Sequence, residues 1–99
     1  MFIINLHYTA PLEQLDAHMS DHVKFLQKQY KQNTFLASGR KIPRTGGIII
    51  AVGESKDAVD KIMSEDPFCT HHLADFTVTE FLTSQMHPKF RKMMVELAS

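Results

Sequence analysis

Two short stretches hold residues whose types could do chemistry. Asp21-His22-Val23-Lys24-Phe25-Leu26 puts a histidine beside the apolar stripe of a predicted helix. Glu65-Asp66-Pro67-Phe68 puts a carboxylate on the residue before a proline, at the expected end of a second helix. Histidine is the side chain whose ordinary proton affinity suits transfer near neutral pH. A carboxylate against one ring nitrogen would fix its tautomer and balance the imidazolium. His22 and Asp66 in contact would therefore form an acid–base dyad. Both have plainer uses: a half-buried histidine often hydrogen-bonds only to backbone, and an aspartate before proline shapes a turn. His22 lies about ten residues, or ~15 Å, into its predicted helix, and the sequence does not fix the offset that would carry Asp66 to it.

Other reactive residues are less well placed. Arg40, Lys41 and Arg44 crowd one connection, next to Ser38, Gly39, Thr45, Gly46 and Gly47. Cations and backbone amides together could hold a carboxylate or another small anion, or the segment could be a solvated hairpin with glycine for its turn. His18 and His22 are four apart, a spacing that can share a metal ion from one helical face. No third ligand is evident, and the adjacent His71-His72 point in different directions in any regular structure. No metal is expected. Cys69 has a histidine nearby in sequence, but nucleophilic catalysis needs a base in space and a group to orient it. A buried structural thiol fits it better. No phosphate-loop or dinucleotide fingerprint occurs, so no cofactor is expected.

The elements that must position these residues follow from periodicity. Residues 2–8 read as a strand with Phe2, Ile4, Leu6 and Tyr8 on one face. Pro11 suits the first turn of a helix, predicted over 12–31 with Leu12, Leu15, Met19, Val23, Leu26 and Tyr30 on its apolar side. His22 falls at the edge of that arc. Asn33 is a plausible stop. Residues 34–40 give a second strand, and Gly46-Gly47 leads into a third over 48–52. Ser55 is a suitable N-cap for a second helix carrying Ala58, Val59, Ile62 and Met63, which Pro67 should end near Glu65. A fourth strand spans 74–82, and Pro88 opens a tail helix with Phe90, Met93, Met94 and Leu97 gathered on one face.

The order is β-α-β-β-α-β plus a tail, the ferredoxin-like α+β arrangement of a four-stranded antiparallel sheet. The third strand is apolar at every position from Ile48 to Val52, as strands buried on both faces usually are. A chain of 99 residues has no second layer to cover the far face. A homodimer, or a higher assembly of dimers, is the simplest answer. The tail is expected to dock across that subunit boundary or over a pocket, or else beside the first helix.

Composition removes several classes. Eleven basic residues match eleven acidic ones, so no net charge argues for nucleic acid or an acidic membrane surface. No apolar run reaches the length of a membrane span. The first residues, Met1 to Leu6, are too short and lack the basic region of a signal peptide. The single cysteine rules out an internal disulfide and suits a reducing compartment. The expected location is the cytoplasm.

These motifs together resemble the YCII-related family of small α+β proteins. The resemblance rests on His22 followed by Phe25 and Leu26, on Phe35-Leu36-Ala37-Ser38-Gly39-Arg40, on Gly46-Gly47-Ile48-Ile49-Ile50-Ala51 and on Asp66-Pro67-Phe68. It covers residues 1–82 as one domain and leaves 83–99 as a C-terminal helical extension. It implies a ferredoxin-like fold assembled as a dimeric α+β barrel. It also implies an active site in which His22 and Asp66 are catalytic. Relatives with known chemistry imply proton transfer, of isomerase or lyase type, on a small anionic or cyclic molecule. Ser38, with Arg40 or Arg44, would hold that substrate. The competing class is a non-enzymatic module that binds a small ligand or a protein partner, with a structural dyad and a pocket filled by side chains.

Overall fold

The structure, a computed structural model, describes residues 1–98. Four strands, β1 (Phe2–Tyr8), β2 (Phe35–Arg40), β3 (Gly46–Ala51) and β4 (Ala74–Glu80), form one antiparallel sheet in the order β2-β3-β1-β4. The helices are α1 (Leu12–Ala17), α2 (Met19–Lys31), α3 (Lys56–Met63), α4 (Pro67–Thr70) and α5 (Pro88–Ala98). This is the expected α+β architecture with its additional C-terminal helix.

Strand alternation explains which sheet face is filled. Phe2, Ile4 and Leu6 pair in register with Ala51, Ile49 and Gly47, and all six are buried. Helices supply the other side of that core through Leu15, Phe25, Val59, Met63 and Phe68. The opposite face presents Ile3, Ile48 and Ile50, which stay half-exposed in the single chain. The doubly apolar third strand is therefore covered on one side only. Gly46 is needed for close approach rather than for turn geometry: a Cβ there would overlap the Leu6 carbonyl oxygen across the β1–β3 ladder.

Three boundaries and one helix face differ from the sequence reading. The helix predicted over 12–31 is two helices, because His18 leaves helical geometry at φ −107° and ψ 7°. No local breaker marks the spot; the departure accompanies a stack of the His18 ring on His71 at 4.1 Å between centroids, a tertiary contact that outweighs helix propensity. The apolar arc of α2 is also turned from its expected position. His22, Phe25 and Gln29 are the buried positions, while Val23 is exposed. Pro67 does more than end the second helix. Asp66 is extended (φ −61°, ψ 127°) and caps a new short helix with Pro67 in its first turn, as N-cap aspartate and N1 proline both favour. The fourth strand ends at Glu80 rather than at residue 82.

One expected stop and one expected start signal do act. Asn33 takes the left-handed conformation (φ 60°), which asparagine tolerates better than most residues, and Ser55 Oγ accepts the Ala58 amide to cap α3. At the other end of the chain, Phe90, Met94 and Leu97 of α5 are half-buried. Asn33 donates to the Leu97 carbonyl, which puts the last turn of α5 beside the end of α2 in the same chain. Ser99, the last residue of the 83–99 extension, lies outside the described residues.

Candidate functional site

The break at His18 makes His22 the fourth residue of its own helix, rather than one deep within a long one. Asp66, beyond the end of α3, is wholly buried, and its Oδ1 accepts a hydrogen bond from His22 Nδ1 at 2.8 Å. The same oxygen accepts the Phe68 amide at 3.0 Å, the cap of α4. Oδ2 is buried with no partner among the described residues. Half of this carboxylate thus meets no donor, an arrangement that costs free energy in a buried site and that positive charge on the adjacent imidazole would offset. Phe68 completes the setting, its ring lying face to face with the His22 imidazole at 3.9 Å and 4° between planes. The Tyr8 ring meets Phe68 edge-on at 6.0 Å.

With Nδ1 committed to Asp66, the opposite nitrogen Nε2 is the one left for a ligand. His22 lines an open cavity of about 330 Å³ between α2 and the β2–β3 half of the sheet. Met19, Val23 and Leu26 form its helical wall. The periodicity puts all three on the apolar side of the helix; Met19 and Leu26 pack against the core as well as bounding the cavity, and Val23 is exposed.

Ser38, Arg40 and Arg44 line the same cavity as His22. Ser38 and Arg40 share a sheet face because they pair in register with Ile49 and Gly47. Ser38 Oγ is 2.6 Å from the Tyr30 hydroxyl. A phenol is the stronger acid of the two, so the favoured arrangement has Tyr30 donating and leaves the Ser38 proton free to donate into the cavity. Arg44 donates to Asp16 Oδ1 at 2.6 Å. That hydrogen bond holds the Asp16 carboxyl below the usual carboxylate range, with Arg40 adding attraction. It also holds the Arg44 guanidinium above its ordinary value, with the Tyr8 phenol contributing. The polar groups of the cavity are therefore mainly donors and cations, facing one imidazole nitrogen that can accept.

The remaining candidates lie elsewhere. Among the described residues, no group of three or more His, Cys, Asp or Glu is placed to hold a metal ion. His18 stacks on His71, so its partner is a neighbouring ring. Cys69 is half-buried, and burial, aided by the Asp66 and Asp75 carboxylates, pushes its thiol up to about 12. That is the opposite of what a nucleophile needs. Tyr8 and Phe68, both cavity-lining, were not singled out by sequence reasoning. The strand pattern gave Tyr8 only a face, and Phe68 was legible only as part of the Asp66-Pro67-Phe68 turn.

Comparison with known proteins bears on this geometry. A model of the YCII-related domain matches residues 1–82. No curated protein sequence matches. Among solved structures, the chain is similar to the 5-chloro-2-hydroxyhydroquinone dehydrochlorinase of Burkholderia phenoliruptrix AC1100, in complex with 2,5-dihydroxybenzoquinone. The TM-score is 0.70 and the identity 19%, over 85% of this chain and 96% of that one. A mutant of SnoaB, a cofactor-independent oxygenase from Streptomyces nogalater, aligns at a TM-score of 0.47 and 16% identity, over 88% of this chain and 94% of that one.

Proposed function

The chain belongs to the YCII-related family, and from that premise we propose that it is a small-molecule enzyme that moves a proton on a small anionic, cyclic substrate. The observation that carries the reading is the 2.8 Å contact between His22 Nδ1 and buried Asp66, with His22 on the wall of an open cavity. His22 Nε2 accepts a proton from a carbon next to a carbonyl group of the substrate. The imidazolium so formed lies against the Asp66 carboxylate, which also keeps the ring in the required tautomer. Charge that develops on the substrate oxygen is received by Ser38 and Arg40, while Arg44 holds the anionic group at the Asp16 end. Return of the proton to a second carbon is an isomerisation. Departure of an anionic group from the adjacent carbon is an elimination, after which the imidazolium releases its proton to solvent through the open cavity.

The dehydrochlorinase to which the fold is similar acts, by its name, on a chlorinated hydroxyhydroquinone, which supports a flat, oxygen-rich ring as the substrate class. A non-catalytic module with a side-chain-filled pocket is less well supported, since the cavity of about 330 Å³ has room for such a ring. We extend the proposal to assembly: a second copy covers the sheet face that bears Ile3, Ile48 and Ile50, partly exposed in one chain. The cytoplasm remains the location in this account, because a lone thiol suits a reducing compartment.

The reading is tested by titrating a panel of small cyclic carboxylates and phenolates into isotope-labelled protein. Binders should perturb the resonances of His22, Ser38 and Arg40, and Arg40→Ala should weaken them about tenfold or more, as loss of a charge-assisted hydrogen bond does. A panel that binds nowhere near His22 would refute the site.

A further inference from the structure

We propose that Phe68 is a positioning residue for His22, its ring setting the plane of the imidazole so that Nδ1 stays on Asp66 and Nε2 stays turned to the cavity. The inference rests on the proposed role of His22, but its test does not require a substrate. A hydrogen bond from one nitrogen fixes a point on the ring and leaves the ring free to pivot about that point. Asp66 supplies the point, at 2.8 Å. Phe68 supplies the plane, since the two rings are 3.9 Å apart and only 4° from parallel.

Sequence adjacency couples the two restraints. Asp66 caps α4 by accepting the Phe68 amide, so the residue that holds the edge of the imidazole also sets the backbone carrying the ring that covers its face. Phe68 is itself held. It is 1% exposed and meets the Tyr8 ring edge-on at 6.0 Å, so it cannot turn away without repacking the core. A stacked aromatic also tolerates positive charge on its partner, because the face of a benzene ring is electron-rich. The contact therefore survives when the imidazole gains a proton. An aliphatic side chain of similar volume would fill the space but define no plane.

The experiment is nitrogen-15 NMR of the His22 ring in the ligand-free protein, for the native chain, Phe68→Leu and Phe68→Tyr. The native ring should show the Nδ1–H tautomer, with its carbon-bound protons shifted upfield by the face of Phe68. In Phe68→Leu the population of the other tautomer should rise roughly two- to tenfold, the range for loss of a specific aromatic pair. Phe68→Tyr, which keeps the stacked plane, should restore the native ratio. Backbone amide spectra establish that each variant is folded. If Phe68→Leu does not fold, the native upfield shift and the Phe68→Tyr ratio still decide. Native ring protons at ordinary positions, or a Leu variant with the native tautomer ratio, would overturn the inference. Native-like tautomers in every variant together with cavity binding of cyclic anions would sink the Phe68 role alone. A fixed His22 ring in a protein that binds no cyclic anion would leave Phe68 in place and remove the enzymatic reading.

Discussion

One carboxylate oxygen of Asp66 receives both the His22 imidazole N–H and the Phe68 amide, so deleting the side chain removes a helix cap and a buried charge-assisted bond together. Asp66→Ala should cost about 2 to 4 kcal/mol in urea unfolding, well above the roughly 1 kcal/mol expected for an isolated cap such as Ser55→Ala. Equal costs for the two variants would contradict the double role. Cys69 gives a second expectation at this scale. Its thiol is raised to about 12, above a free thiol near ~8.5, so the folded protein holds this proton throughout the neutral and mildly alkaline range. Alkylation by iodoacetamide should be slow at neutral pH and should rise about tenfold per pH unit with no plateau near the free-thiol value. Rapid neutral labelling would show a different environment. His22 and Asp66 could be picked out from the sequence because each carries a local signal, a histidine by an apolar stripe and an aspartate before proline. Their contact could not, because it depends on the break at His18 and on α4, neither of which periodicity reveals.

Among the elements, strands were easier to read than helix ends. Alternation gives β1 its observed bounds and β4 to within two residues, since a buried face imposes a strict period of two, and the unbroken apolar run gives β3 to within two residues. Within α2 periodicity identifies an apolar side but not what covers it. Met19 and Leu26 pack against the core and, with Val23, also line the cavity, because a pocket lined by apolar side chains leaves the same pattern as a packed interior. Gln29 is buried although it is polar and stands outside the apolar series read from the sequence. The glycine pair before β3 can be tested directly. Gly46→Ala should lower stability by about 1 to 3 kcal/mol, as overpacking does, because its Cβ would meet the Leu6 backbone rather than a yielding side chain. Gly39→Ala, where nothing lies within 4 Å of the added atom, should change stability little. Similar losses at both sites would contradict the β1–β3 register.

For the whole molecule, the open sheet face and the tail make separate demands. Ile48 and Ile50 are half-exposed there, and Ile48→Lys should turn a homodimer into monomers in sedimentation experiments at micromolar concentration. A native protein that sediments as a folded monomer would remove the dimer from the account. The overall arrangement was legible because strand order follows from short connections and one apolar face per element. The placement of α5 was not, since its amphipathic pattern says that it docks but not where. The central claim is that His22 moves a proton on a bound cyclic anion, and it is most directly tested by deuterium incorporation. A ligand found to bind the cavity is incubated in D2O with the native protein or with His22→Asn, and its carbon-bound protons are followed by NMR. Native protein should exchange one such proton, and His22→Asn should slow that exchange by about 10² to 10⁴, the usual contribution of a general base. Equal exchange rates for the two proteins, or no exchange with any cavity ligand, would contradict it.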